Sequence, residues 1–349
     1  MTRPQSKKYP TCYASCSIGW KPEHDLPAKL EAISSAGFDA IELSMPDLIS
    51  FANRDSTKEV GPNDYETLCE HGKEIDRMCR EHQLKILILQ PFANFEGWPK
   101  GSRERQDAFD RAEGWIRIME GVGTDMLQVG SSDSPGITTN IDDICDDLTQ
   151  LADMLSAKGY RMAYENWCWS THAPDWKEVW RIVERIDRPN VGLCLDTFQS
   201  AGGEWADPRT KSGMREDLSQ DQIKVRWAES LKKLSATVPP EKIFLLQISD
   251  AYRMEPPLQD KRDESGLRVR GQWSHAYRPL LYEGGYLPVI DFTKAVLDTS
   301  FTGFLSIEVF DGRQPEKCTG MRSYAERAMK SLQRLLDESE QYYPIRDYD

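Results

Sequence analysis

Four oxygen-bearing side chains close successive apolar runs in the second half of the 349-residue chain. Glu165 ends the run 162–165, Asp196 follows 191–195, Gln247 stands near the end of 243–248, and Glu308 ends 304–308. A carboxylate flanked by apolar strand residues is costly to bury alone, because its desolvation must be offset by a partner. Side by side, three carboxylates and one amide oxygen make a hard-oxygen site. Such a set suits one divalent ion, Mg²⁺, Mn²⁺ or Co²⁺, better than a soft thiolate zinc site does. Glu165 and Glu308 are also placed to act as bases. His172 lies in the loop after Glu165, and His275 shares a long basic insert with Arg278. A His near neutral pKa is a natural general acid or base. Arg54 and Arg278 offer guanidinium forks that fit a carboxylate. Trp167, Trp169 and Trp273 would wall a pocket and exclude water. His71 and His82 lie in a helical pattern far from any strand end and read as surface residues, whereas His24 falls in the loop after the first strand.

The elements that must position these groups are legible as a repeated pattern. Short apolar runs at 12–17, 40–43, 85–90, 126–129, 162–165, 191–195, 243–248 and 304–308 alternate with longer helical patterns. Strands buried on both faces have this short, apolar character. Ile141, Ile144, Cys145, Leu148, Leu151, Ala152 and Leu155 fall on one face of a helix. Eight such units predict an α/β fold, a single (β/α)₈ TIM barrel over residues 10–335, with terminal extensions at 1–9 and 336–349. A doubly wound open sheet is the alternative, but no G-x-G-x-x-G follows the first strand and no P-loop occurs. Long inserts follow strand six (197–221) and strand seven (249–288), on the face where barrel enzymes place their sites.

Composition narrows the function classes. With 44 basic and 57 acidic residues the formal charge is −13, which repels phosphate backbones and argues against nucleic acid as a partner. No apolar run reaches the ~18–20 residues that span a bilayer, and the charged start is not followed by a signal-like stretch. A cytoplasmic enzyme without membrane partners is expected. The eight Cys are scattered without a CxxC pair, and reduced thiols are expected. The pattern of Ala325, Met329, Leu332 and Leu336 predicts a helix that docks on the barrel or on another subunit, which leaves a homo-oligomer open.

Two stretches carry a resemblance. Tyr164-Glu165-Asn166-Trp167-Cys168-Trp169-Ser170-Thr171 and Arg188-Pro189-Asn190-Val191-Gly192-Leu193-Cys194-Leu195-Asp196-Thr197-Phe198 resemble the fungal 3-dehydroshikimate dehydratases. These belong to the xylose-isomerase-like, or sugar phosphate isomerase/epimerase, barrels. Leu89-Gln90-Pro91-Phe92, Ala201-Gly202, Ala206-Asp207-Pro208 and Tyr286-Leu287-Pro288 extend the resemblance over most of the chain. It implies that Glu165, Asp196, Gln247 and Glu308 bind one divalent metal that holds a carbonyl and a hydroxyl oxygen of the substrate. A proton next to the carbonyl is then removed, the β-hydroxyl leaves, and aromatisation to protocatechuate drives the reaction. It also implies a small-molecule partner, a hydroxy-ketone on a carboxylated ring, met by Arg54, Gln90, Trp167, Trp169, Gln199, Trp273 and Arg278. His172 matches a His of bacterial relatives.

The departures fall at pocket positions. Ser44-Met45-Pro46 stands where these dehydratases carry Phe-His-Glu, and Gln199 where bacterial relatives have His and fungal ones often Asn. The pattern W-S-R-x-x-R is here Trp273-Ser274-His275-Ala276-Tyr277-Arg278, so the first Arg is His275. A diverged paralogue that dehydrates a related hydroxy-ketone is therefore included in the expectation. The alternative is a metal-dependent ketose or cyclitol isomerase or epimerase. A DNA-repair endonuclease on this barrel would need a His-rich zinc cluster and a basic groove, and a non-catalytic barrel would tolerate loss of ligands.

Overall fold

The computed structural model describes residues 9–21, 23–54, 56–313 and 320–341. Eight parallel strands close into a barrel in chain order: β1 (Thr11–Ala14), β2 (Ala40–Ser44), β3 (Lys85–Phe92), β4 (Met126–Gly130), β5 (Arg161–Glu165), β6 (Val191–Asp196), β7 (Ile243–Ile248) and β9 (Phe304–Ile307). A two-residue strand, β8 (Tyr277–Arg278), lies inside the insert after β7. It pairs antiparallel with β10 (Phe310–Asp311), just beyond the last barrel strand.

Side chains alternate across each strand, so every second residue points into the barrel. The inner floor is apolar and small, made of Cys12, Ala40, Ile88, Met126, Ala163, Cys194 and Leu245 with their neighbours. Two residues further along six of these strands stand Glu42, Gln90, Gln128, Glu165, Asp196 and Gln247, all buried. The barrel thus carries a polar layer on an apolar floor, at the C-terminal ends of the strands. Register locks it: Asp196 pairs with Gln247, and Gln247 with Ser306.

The outer strand faces pack on the helices. Trp176, Val179, Ile182, Val183 and Ile186 form the buried stripe of the helix Trp176–Ile186, started by the Asp175 carboxylate accepting the amides of Lys177 and Glu178. Two expected boundaries move. The first run stops at Ala14 because Ser15–Ser17 turns into a 3-10 helix. The last helix, Met321–Gln341, carries past residue 335. The other expected extensions, residues 1–8 and 342–349, and Cys318 lie outside the described residues, and the remaining seven cysteines are free thiols. Among the described residues no helix is long and apolar enough to cross a membrane.

The inserts are partly ordered into elements. After β6 comes the helix Thr197–Glu204, and within the second insert the helix Val269–Ala276 leads directly into β8. The pairing of Arg278 with Phe310 pins this insert two residues beyond Glu308.

Candidate active site

The polar layer brings Glu165, Asp196 and Glu308 together, each offering one oxygen, with these atoms within 4.8 Å of one another. All three are buried. Each is held by neighbours. Glu165 Oε2 accepts from the indole Nε1–H of Trp167 at 3.1 Å and from the Gln128 amide. Asp196 is the first cap of the helix that follows it, its Oδ1 accepting the Phe198 amide at 2.6 Å and the Ser249 hydroxyl at 2.9 Å. Glu308 Oε1 accepts from Gln90 Nε2 at 3.4 Å.

Arg278, 1% exposed, enters this cluster from β8. Its Nη2 donates to Asp196 Oδ2 at 2.5 Å and to Glu308 Oε2 at 3.0 Å, and also reaches Ser249 Oγ at 2.7 Å. The guanidinium lies over the Phe198 and Phe310 rings at 4.7 and 5.2 Å. Burial works against its charge, but Asp196 and Glu308 outweigh that and hold its pKa above the usual range.

The electrostatics of the cluster ask for a further cation. Glu308 is pushed up to about 7, first by burial and also by Asp196, against the opposing pull of Arg278. Glu165 is held well above the ordinary carboxylate range by burial, then by the charges of Glu308 and Asp196. Glu42, across the same layer, rises to about 8 through burial and the charge of Glu308. One guanidinium does not balance four buried carboxylates, and Glu165 Oε1 is buried with no hydrogen-bond partner. A single divalent ion fits this donor set: carboxylate oxygens already within a few ångströms, charges that repel without it, and one oxygen left unsatisfied.

Gln247 stands between Asp196 and Ser306 in register, with Nε2 donating to Glu42 Oε2 at 2.8 Å and Oε1 accepting from Cys194 Sγ at 3.3 Å. Trp167 and Trp169 stack at 5.1 Å with 22° between their planes, and His275 meets Trp169 edge-on at 5.9 Å. His275 stands at the rim between Trp169 and Phe310. That packing, with the charge of Arg278, lowers its pKa below the usual imidazole value. Glu165, Asp196, Glu308, Gln90, Trp167, Trp169, His275 and Arg278 are therefore linked in one constellation.

Other expected residues are placed differently. His172, expected beside the substrate, is instead part of a separate buried network. Its Nε2 lies 3.1 Å from Glu96 Oε1 and 3.0 Å from the Tyr164 hydroxyl, which itself donates to Glu96 at 2.9 Å. The reason is strand parity: Tyr164 precedes Glu165 and points to the opposite face of β5. Trp273, expected in the pocket wall, is wholly buried, its ring 4.8 Å from Phe198 and its Nε1–H donating to the Tyr252 carbonyl. It packs the insert against the helix that follows β6. Gln199 accepts the Cys168 amide at 3.0 Å and so ties the helix after β6 to the loop after β5. Arg54 ends the helix Met45–Asn53, over the Phe51 ring and 3.6 Å from Asp25. Ser44 and Pro46 start that helix, the Ser44 hydroxyl accepting the Asp47 amide.

Glu42, Gln128, Ser249 and Ser306 were not anticipated. The signal for the first two was present: each is a polar residue set among apolar strand residues, as Glu165 is.

The fold and this carboxylate cluster at the C-terminal barrel mouth define a metal-competent α/β barrel. The chain belongs to the family described as xylose isomerase-like TIM barrel, which it matches over residues 30–337. Among individual relatives, it is 32% identical over 306 residues to the 3-dehydroshikimate dehydratase of Neurospora crassa, covering 84% of both chains. It is 30% identical over 286 residues to the 3-dehydroshikimate dehydratase of Pseudomonas aeruginosa, covering 82% of this chain and 36% of that protein. Among solved structures it is similar to a xylose isomerase-like TIM barrel/4-hydroxyphenylpyruvate dioxygenase fusion protein. The TM-score is 0.70 at 25% identity, covering 96% of this chain and 45% of that one.

Proposed function

We propose that this chain is a divalent-metal-dependent dehydratase that converts 3-dehydroshikimate to protocatechuate in the cytoplasm. The observation that carries the reading is the buried cluster of Glu165, Asp196 and Glu308, in a chain whose Neurospora relative, matched over most of its length, is a 3-dehydroshikimate dehydratase. Glu165, Asp196, Gln247 and Glu308 would hold one ion, Mg²⁺, Mn²⁺ or Co²⁺, supplying Lewis acidity toward the substrate carbonyl.

The chain's own residues then divide the work. Trp167 and Trp169 form a flat apolar wall suited to a ring and keep water from it. Arg278 has a buried Nε with no partner, a donor available to a substrate oxygen. His275, whose pKa is held below the usual imidazole value by burial and Arg278, would accept the proton next to the carbonyl and return it to the departing β-hydroxyl, which leaves as water. Arg54 would offer its guanidinium fork to the ring carboxylate. His172 supports this site through the loop that carries Trp167 and Trp169.

The test is direct. Chelated protein supplied with Mn²⁺ and 3-dehydroshikimate is expected to develop the catechol absorbance of protocatechuate, and Glu308→Gln to abolish it with the fold retained. Full activity in thoroughly metal-free protein, or no product with any divalent ion, rejects the reading. Turnover of a ketose or inosose instead would support the isomerase alternative or a lyase on another substrate.

A further inference from the structure

The polar layer holds a fourth buried carboxylate that no proposed chemistry uses. Glu42 points in from β2, fully buried, and both of its oxygens are engaged by neighbours on other strands. The Ser306 hydroxyl donates to Oε1, and Gln247 Nε2 donates to Oε2 at 2.8 Å. Seen from the strands, Glu42 and Gln247 reach toward each other across the barrel, with Ser306 on β9 between them in the strand order.

A glutamine amide has two ends of nearly the same shape and opposite chemistry: the oxygen accepts and the NH₂ donates. As a ligand it is useful only with its oxygen toward the cation. Shape does not decide which end goes where, so a hydrogen-bond partner must. Here Glu42 Oε2 accepts from the NH₂ end of Gln247, and Oε1 is already taken by the Ser306 hydroxyl, so the carboxyl group holds that end of the amide. The oxygen is then turned to the other side, toward β6, where the Cys194 thiol lies 3.3 Å away and Asp196 stands in register. Ser306 fixes the carboxylate so that its Oε2 faces Gln247.

From this arrangement we infer that Glu42 is a positioning residue for the metal site: it selects the amide orientation of Gln247 and so makes that side chain a ligand. The inference rests on the metal reading above. Outer partners that orient a ligand are typically worth 10–100-fold in metal affinity. Glu42→Gln keeps size and shape but presents an NH₂ that can pair with the Gln247 oxygen, so the selection is lost.

Mn²⁺ affinity is measured by calorimetry on chelated protein for wild type, Gln247→Ala, Glu42→Gln and the double variant. Gln247→Ala and Glu42→Gln are each expected to weaken binding about 10- to 100-fold. The double variant is expected to bind no more weakly than Gln247→Ala, because Glu42 has nothing left to orient. A double variant weaker than Gln247→Ala by the whole Glu42→Gln factor overturns the inference, since Glu42 would then act through its charge alone. Unchanged affinity in Glu42→Gln overturns it as well. Wild type that binds no Mn²⁺, or Gln247→Ala that binds like wild type, removes the metal reading or the ligand itself, and the inference falls with it. Ser306→Ala provides a milder variant should Glu42→Gln fold poorly. It loosens Glu42 without altering charge, and its expected weakening must vanish in the Gln247→Ala background. The visible Co²⁺ spectrum gives an independent readout: Glu42→Gln and Gln247→Ala should shift it alike.

Discussion

Gly130, the last residue of β4, makes room for the indole that holds Glu165. A Cβ built on Gly130 would lie 2.1 Å from Trp167 Cζ2 and 2.2 Å from Cε2. Carbon atoms pack at about 3.5–4.0 Å, so Gly130→Ala forces the ring back by about 1.5 Å. The ring is not free to retreat. Its Nε1–H is 3.1 Å from Glu165 Oε2, and its face stacks on Trp169. A shift of that size carries the hydrogen bond past the roughly 3.5 Å at which it ceases to count. Overpacking costs about 1–3 kcal/mol and a lost hydrogen bond to a charged group about 1.5–3 kcal/mol. Gly130→Ala should therefore lower Tm by several degrees and, with Glu165 less well oriented, weaken Mn²⁺ binding by about 10-fold or more. Thermal unfolding and calorimetric Mn²⁺ titration measure the two effects. The control is Gly130→Ala/Trp167→Ala, which should behave like Trp167→Ala alone because the clash has gone. Wild-type Tm and Mn²⁺ affinity in Gly130→Ala would refute the argument that this glycine seats the tryptophan.

How much of this was legible in the sequence depends on the range of the interaction. Seven of the eight strand runs were readable to within about two residues because burial on both faces leaves an unbroken apolar signature. The carboxylates were readable because a charge inside such a run needs a reason. Glu42 offered the same signal, in Ala40-Ile41-Glu42-Leu43, yet its partners Gln247 and Ser306 are over 200 residues away and nothing local announces them. His172 was misplaced because proximity in sequence to Glu165 is not proximity to its face of the strand: one residue reverses the side, and Tyr164 carries His172 with it. Trp273 and Arg278 sit five residues apart on one insert, and composition alone gives both to a pocket. What separates them is the pairing of β8 with β10, two residues long on each side and without a sequence signature. That pairing delivers Arg278 to the cluster while Trp273 is spent on packing.

The remaining predictions probe the charge of the cluster, the second buried network and the insert. Arg278→Met removes the only guanidinium bonded to Asp196 and Glu308 among the described residues, and should destabilise the metal-free protein by roughly 3–5 kcal/mol. Mn²⁺ should then raise its Tm more than that of wild type, and an equal rise in both would count against the shared-charge argument. Glu96→Gln should lower Tm by breaking the pair with His172 yet leave kcat at saturating Mn²⁺ near wild type. A loss of 10²-fold or more in kcat would return His172 to the reacting atoms. The last concerns Asp250, whose carboxylate anchors the end of the insert by accepting the amides of Ala251 at 2.7 Å and Leu287 at 2.8 Å, while Gly285 packs directly against it. Burial raises its pKa from 3.8 to about 6, and those amides only partly oppose the rise. The folded state therefore holds this proton more tightly than the unfolded chain does. Between pH 4 and 6 folding takes a proton up, so stability falls as pH rises through that window and then stays level. A shift of this size is worth at most roughly 3 kcal/mol. Asp250→Asn keeps an oxygen for both amides and never ionises, so its Tm relative to wild type should climb from pH 4 to pH 7. A Tm difference that stays constant over that range would show that Asp250 does not carry the buried charge assigned to it.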